Sequence, residues 1–596
     1  MRGLQATVLL LLTPVALAAP SAVVVGGGVG GLFVAAKLAK SGVDVTLVEK
    51  NGRDAAGGRL ACETVVADNG RRYRFETGPS LLLLPSVYRE ALASLGLDPN
   101  EHLRLARCAP SYGVHFADGL PSPLEIGGNA ASEATLRENM ESVEPGSYTA
   151  YQDYLAAARA NLDAGLPIFI RERLGTPELA KLPKFLGAAL LGGGAASGRF
   201  APVRDWPLAS HAAQAEELFS VPRHRELATF QDLYIGLAPS DAPSVFSLLQ
   251  AIELAPTGDL ESDSGVFYPL NGWGTVRDAL LAACEDSGVT CHWNTKVEEV
   301  LISEDDQDDG SGVRGVRVAP SPPPSHGDAS FVHDPADEFA RRGEPPSSAP
   351  DAPSPDAPSI LMADSVIINA DVATAEASLL PARLRRSAYR ERSEVDRGVP
   401  AADSSDADVR ESLVRAGGWR YSSSTVSFYF CLDRRYETLR HHNVFLGPSR
   451  AWEGLFDATE YATWDERLAN GPLHFYVHAP ARTDPTVVDL PSDDAIMVLV
   501  PVPPLPEGLS TQAVEAATER IVTCARAAVI STFEVAGMDE FGEAIVDERV
   551  RTPPGWRDAY GLRRGSVFGL SHPLEQLRCA LSRPQHKPRM HPRLQF

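Results

Sequence analysis

The stretch AVVVGGGVGGLFVAAKLAKSGVDVTLVEK, Ala22 to Lys50, decides the fold class. Its apolar start, Ala22 to Val25, has the composition of a parallel strand buried on both faces. Leu32 to Lys40 reads as a helix and Val43 to Glu49 as a second strand. Gly26, Gly28 and Gly31, with Gly30 beside the last, form G-x-G-x-x-G between that strand and helix. The first glycine permits the tight turn, the second lets backbone approach a pyrophosphate, and the third allows close helix–strand packing. Free N–H groups and the dipole at the helix N-terminus then favour the anion. Glu49 ends the second strand, where a carboxylate accepts from a ribose hydroxyl. The reading is a dinucleotide site.

At 596 residues the chain is too long for one core, so at least two domains are expected. A net charge of -23 without Lys/Arg clusters speaks against nucleic-acid binding. It says nothing against membrane contact, which apolar area alone can drive. The seven cysteines are scattered and form no C-x-x-C, so neither a disulfide framework nor a zinc site is expected. Residues 1–20, MRGLQATVLLLLTPVALAAP, carry one positive charge, a short apolar run and an Ala16-Leu17-Ala18 pattern, and read as a secretory-type leader. A weak anchor or a misassigned start codon is the competing reading.

Farther along, Leu155 to Leu191 is helix-rich, Phe230 to Leu254 reads as interrupted helix, and VTCHWNTKVEEVLI (Val289 to Ile302) as a strand pair. Residues 320–359 are rich in Pro, Ser, Asp and Ala, a composition that cannot bury enough apolar surface to offset ordering, and are expected to be disordered. A second polar insertion spans 383–416. STVSFYFCL, LHFYVHA and AIMVLVPV read as strands of a second sheet, and Ala513 to Ala528 as a helix.

RDAAGGRLACET (Arg53 to Thr64), with Gly57-Gly58-Arg59, resembles the second phosphate-approach motif of the flavin amine oxidase and carotenoid desaturase superfamily. RFETGPSLLL (Arg74 to Leu83) resembles the segment that follows it and passes near the flavin. The resemblance implies FAD, with Gly58, Arg59, Gly78 and Pro79 joining Gly26, Gly28, Gly30, Gly31 and Glu49 as cofactor-binding residues. Four later blocks, Phe230 to Val289, Val426 to Gly447, Leu473 to Leu505 and Thr552 to Leu577, resemble CrtI-type phytoene desaturases, bacterial and especially fungal. In that family Val297 matches a position whose backbone meets the adenine, and VIINADV (Val366 to Val372) the strand and turn returning to the FAD domain.

The resemblance implies an α/β protein with a glutathione-reductase-like, Rossmann-type FAD-binding domain assembled from discontinuous segments, plus a sheet-and-helix substrate domain. On it the FAD domain takes residues 21–140, 263–319, 360–382 and 546–596. The substrate domain takes a membrane-facing helical region, 141–262, and the sheet and helix of 417–545. It further implies desaturation of a lipid-soluble polyene, phytoene or a related carotene, with a hydride passing to flavin N5 and a proton lost from the adjacent carbon. The cofactor carries the difficult step. Quinone or oxygen would be the electron acceptor. A carotenoid cis–trans isomerase using reduced FAD, and a catalytically impaired carotenoid- or FAD-binding paralogue, remain alternatives. The family pattern continues past a segment like HPRLQF (His591 to Phe596) into a glycine-rich loop, so the chain is expected to be truncated there.

Arg171 and Glu172 follow the apolar GLPIFI and are the catalytic candidates: Glu172 would stabilise a polyene cation and Arg171 would tune its protonation. A solvated helix start competes with that role, and Glu253 in QAIEL is a further candidate. His441 and His442 suggest a metal, but adjacent strand residues point to opposite faces, so packing is expected and no metal site. Leu182 to Gly198, apolar and broken by glycine, is the candidate for monotopic membrane attachment, against a buried core helix. The leader directs the expectation for location to the plastid or endomembrane system.

Overall fold

A computed structural model describes residues 19–117, 123–166, 209–254, 263–302, 313–321, 360–381, 420–471, 473–572 and 594–595. Arg171, Glu172, Leu182 to Gly198, residues 1–18 and nearly all of both insertions lie outside the described residues.

Strand Ser21–Val25 is the middle of a five-stranded parallel sheet. The order is Leu594–Gln595, Ser365–Ile368, Ser21–Val25, Asp44–Val48 and Thr290–His292. After Ser21 the strand is apolar and buried, because both of its faces are covered. Val24 points into a cluster with Leu32, Ala35 and Ala36 of helix Val29–Lys40 and Leu280, Ala283 and Cys284 of helix Gly274–Asp286. Val23 and Val25 point the other way, against Val300, Val316 and Val318 of an antiparallel sheet built from Thr295–Ile302, Val313–Pro320 and Ile360–Met362. Helices, parallel sheet and antiparallel sheet thus form three layers, drawn from five separated segments of chain.

The second domain is a seven-stranded mixed sheet. Its order is Ile545–Arg551, Ser424–Leu432, Asp494–Val502, Phe475–His478, His442–Leu446, Tyr112–Phe116 and Leu124–Ile126. Helix Thr511–Val535 buries Val514, Ala517, Ile521, Ala525, Val529 and Phe533, a three-and-four spacing, on Val426, Phe428 and Phe430. Tyr429 and Cys431, on the opposite face of the same strand, pack with Tyr73, Phe75 and Tyr112. This sheet includes the three strands expected from alternation. Strand Ser424–Leu432, second in that order, is buried along its whole length because both faces are covered.

Some sequence expectations need correction. Thr290–His292 and Thr295–Ile302 are not a pair: the first ends the parallel sheet and the second starts the antiparallel one. Asn294 makes the corner with a left-handed φ of 51°. Pro320 belongs to strand Val313–Pro320, opposite Thr295, rather than to the insertion. A boundary at 140/141 cuts helix Ala130–Val143, and one at 545/546 cuts strand Ile545–Arg551, which belongs to the seven-stranded sheet.

Candidate FAD site

The glycine turn is held from both sides. Gly26 N donates to Val48 O at 2.8 Å, and Leu32 N to Gly28 O at 2.9 Å, which starts the helix. Gly31 is obligatory: a Cβ there would lie 2.0 Å from Gly26 O. Helix and turn can approach this closely only without a side chain. Glu49 is buried, and its Oε2 accepts from Gly27 N at 2.7 Å while Oε1 accepts from Asn51 N at 2.9 Å. Each oxygen keeps a second lone pair for a ribose hydroxyl. Thr295 N donates to Glu49 O at 2.9 Å, which sets Val297, two residues on, beside the same edge. Val297 is half-buried opposite Val318, at a register shift that ends at Glu299.

The second motif is stitched to the first. Gly57 N donates to Gly27 O at 2.8 Å, and Gly28 and Gly57 form a parallel bridge. Gly58 follows directly, and a Cβ on it would stand 3.4 Å from Gly28 Cα. Gly78 and Pro79 come next to this loop: a Cβ on Gly78 would meet Arg59 O at 2.1 Å, and Thr77 donates through N and Oγ1 to Ala61 O at 3.0 and 2.9 Å. Arg59 donates through Nη1 to Val567 O. The C-terminal segment therefore closes on the site, as do Lys50 Nζ to Asp558 O at 2.7 Å and Asn51 Nδ2 to Ala559 O at 3.2 Å. Gly26, Gly28, Gly30, Gly31, Glu49, Gly58, Arg59 and Gly78 thus meet in one assembly, with Pro79 next to Gly78 in the chain and Val297 on the neighbouring strand.

Asn369, not singled out from sequence, is part of it. Its N donates to Val25 O at 2.8 Å, and its amide Nδ2 approaches Gly26 O at 3.4 Å. Its Oδ1 would be 2.7 Å from a Cβ on Gly30. The signal was its place in VIINADV, one residue beyond the returning strand Ser365–Ile368.

These cradles, open only to glycine, fit FAD. The first turn and its helix N-terminus would hold the AMP half, and the glycine–arginine loop lying against them would hold the rest of a diphosphate. A nicotinamide cofactor needs only the first.

Beyond the glycine loops the two domains are joined by buried polar groups. Glu76 accepts from Tyr268 OH at 2.7 Å through Oε1, and from Cys62 Sγ at 2.7 Å and Trp273 N at 3.2 Å through Oε2. Arg74 and Asp484 form an ion pair at 2.7 Å with side chains 7% and 3% exposed. Asp484 also accepts from Asn271 N, Thr486 N and Thr486 Oγ1. Ser80 Oγ meets Tyr476 OH at 2.8 Å.

Glu253 is buried and accepts from Gln231 Nε2 at 3.0 Å; Gln231 Oε1 in turn accepts from Gln250 Nε2 at 2.9 Å. Burial pushes its carboxyl up to about 7, with Gln231 and Tyr112 pulling the other way. An acid raised on folding contributes most stability below its unfolded value of 4.5 and loses it as pH rises to about 7. Glu253→Gln keeps the acceptor for Gln231 and removes the titration. It is expected to gain about 3 kcal/mol over wild type at pH 8 and nothing at pH 4. Urea midpoints of both proteins across that range check this, and parallel curves would refute it.

His441 and His442 do not point apart. His441 lies just before strand His442–Leu446, so the two-residue period does not apply to it, and the rings are 4.3 Å apart. They are buried with His478.

Among the described residues, no helix is long and apolar enough to cross a membrane. A profile of the NAD(P)-binding Rossmann-like domain matches residues 24–95, the segment carrying both glycine motifs. The chain is 30% identical to a phytoene desaturase of Neurospora crassa over 556 residues, 93% of this chain and 76% of that protein. It is also 30% identical to a zeta-carotene-forming phytoene desaturase of Myxococcus xanthus over 93% of this chain and 85% of that one. A carotenoid 3,4-desaturase of Haloarcula japonica matches at 25% over 95% and 90%. In fold it is similar to a putrescine oxidase structure at TM-score 0.50 and 12% identity, covering 97% of this chain and 93% of that one. Two glycine loops on a parallel sheet, a second mixed sheet and 30% identity to two phytoene desaturases over 93% of the chain agree: the chain belongs to the phytoene desaturase family.

Proposed function

We propose that this chain is a FAD-dependent oxidoreductase that desaturates phytoene or a related carotene at a membrane. The observation that carries the reading is the assembly of Gly26–Gly31, Glu49, Gly57–Arg59 and Gly78 into one backbone cradle in a chain 30% identical to phytoene desaturases. Bound FAD supplies the two-electron acceptor for the polyene hydride. The chain's own part is to hold that acceptor. Gly27–Gly31 and the helix N-terminus would hold one phosphate half, Gly58 and Arg59 the other, Glu49 the ribose and Val297 the adenine side. Ser80 Oγ and Tyr476 OH, 2.8 Å apart, tie the segment after Gly78 and Pro79 to the second sheet.

Arg171 and Glu172 would act on a developing polyene cation, and Leu182 to Gly198 would seat the protein on the bilayer that dissolves its substrate. Quinone or oxygen would reoxidise the flavin, and the leader would route the protein to a plastid or another endomembrane.

The test is the visible spectrum of the purified chain with FAD and phytoene-loaded liposomes. Flavin bands followed by red-shifted polyene absorption are expected, with loss of two hydrogens per new double bond by mass spectrometry. A change of isomer without loss of hydrogen would identify an isomerase instead. Flavin retention with neither change would leave only binding.

A further inference from the structure

Four buried side chains that the FAD cradle leaves unused meet between strand Leu105–Cys108 and the seven-stranded sheet. Cys108, His441 and His442 present ligand atoms that all lie within 4.8 Å of one another. His478 lies outside that trio but beside it, its Nε2 standing 3.1 Å from His441 Nε2. The four are 2%, 4%, 0% and 1% exposed, and none bears on the glycine loops.

Both adjacent histidines are oriented through the same ring nitrogen. His441 Nδ1 meets Thr483 Oγ1 at 2.6 Å, and His442 Nδ1 meets Tyr476 OH at 2.6 Å. This leaves the Nε2 side of each ring for the cluster. His442 Nε2 is fully buried and reaches no hydrogen-bond partner. A buried ring nitrogen without a partner costs free energy unless something occupies its lone pair. Tyr268 covers the group, its ring 4.9 Å from His441 and 5.8 Å from His478.

We propose that Cys108, His441, His442 and His478 bind one Zn²⁺ in a closed tetrahedral site. Thiolate and imidazole are the donors zinc prefers in structural sites, and four protein donors with no open position are their usual form. Two imidazole nitrogens on a tetrahedral zinc stand about 3.3 Å apart, against the 3.1 Å of His441 and His478. Thr483 and Tyr476 are the outer-shell hydroxyls that such ligands require to fix tautomer and ring angle. The three imidazoles bind as neutral bases. The Cys108 thiol gives up its proton to solvent as the Zn–S bond forms, so binding releases one proton per ion. No oxidation is involved. The ligands come from three distant parts of the chain, so the ion would clamp strand Leu105–Cys108 to the seven-stranded sheet, beside the Ser80–Tyr476 contact.

The test is metal content of the full-length protein, which needs neither substrate nor turnover and is therefore independent of the desaturase reading. Protein from zinc-supplemented cells is expected to hold zinc in equimolar amount after dialysis against a chelator, and to release it when unfolded with chelator. Cobalt-grown protein is expected to show a thiolate-to-cobalt charge-transfer band and intense visible bands. Cys108→Ser should lose the charge-transfer band, and His442→Gln should lose most of the metal. Wild-type protein with zinc far below equimolar and no cobalt bands overturns the proposal, whatever the variants do. Equimolar binding that survives Cys108→Ser with an unchanged spectrum overturns it as well, because the ion then sits elsewhere.

Discussion

Gly31→Ala is expected to strip the protein of flavin. The added methyl would sit 2.0 Å from Gly26 O, a backbone atom fixed by its neighbours in the parallel sheet. Neither partner can yield without moving helix Val29–Lys40 off strand Ser21–Val25, and that movement also re-aims the N–H groups of the turn. Overpacking of this kind costs about 3 kcal/mol, and the same shift in cofactor binding is about 100-fold in Kd. The measurement is the flavin-to-protein absorbance ratio after gel filtration, backed by titration with FAD. Gly542→Ala is the control, since a Cβ there meets only Ile530 Cγ2 at 3.6 Å and should leave retention unchanged. Flavin retention by Gly31→Ala equal to wild type would show that the cofactor does not use this turn.

Asp484→Ala should be the most damaging single change away from the glycine loops. It leaves the Arg74 guanidinium buried without its carboxylate and strands the amides of Asn271 and Thr486. Removing one partner of a buried pair costs about 3–5 kcal/mol. Because the pair links the FAD domain to the second sheet, the loss should appear as earlier flavin release in urea as well as a lower unfolding midpoint. Replacing both partners, Arg74→Met with Asp484→Leu, should recover much of it. The acid side supplies a second readout. Burial alone would raise the Asp484 carboxyl, but the Thr486 hydroxyl, Arg74 and two backbone amides hold it below its ordinary value. A lowered acid contributes its stability above its unfolded value and loses it as pH falls through the lowered one. Asp484→Asn should therefore flatten the acid limb of the stability curve. An unchanged acid limb would show that the pair carries no linkage.

The cradle was legible because its information is local. A turn that admits only glycine writes itself as glycines at fixed spacing, so Gly26, Gly28 and Gly31 could be read from one short stretch, while Gly58 and Gly78 came from the family resemblance of two others. Strands of the second sheet were legible for a related reason: runs such as STVSFYFCL are apolar or alternating over their own length. What was hidden depends on where chain segments meet. Arg74 and Asp484 are separated by 410 residues, and nothing around either residue announces the other. VTCHWNTKVEEVLI reads as a hairpin because a left-handed Asn294 looks the same at a sheet corner as in a tight turn. The histidine pair was misjudged because the period-two rule was applied one residue outside the strand it governs.

Strand Ser21–Val25 pairs on one side with Asp44–Val48, its near neighbour in sequence, and on the other with Ser365–Ile368. The Ser21–Asp364 hydrogen bonds that start the second ladder span 343 residues. At a ribosomal pace of about 5–20 residues per second, roughly 20 to 70 seconds pass between the synthesis of the two strands. Throughout that interval one edge of an apolar strand has no partner to zip onto, and unpaired apolar edges are templates for association with other chains. Early translation therefore makes this sheet a client for holding factors. Slowing synthesis between residues 50 and 360 should raise the insoluble fraction more than an equal pause placed after residue 370.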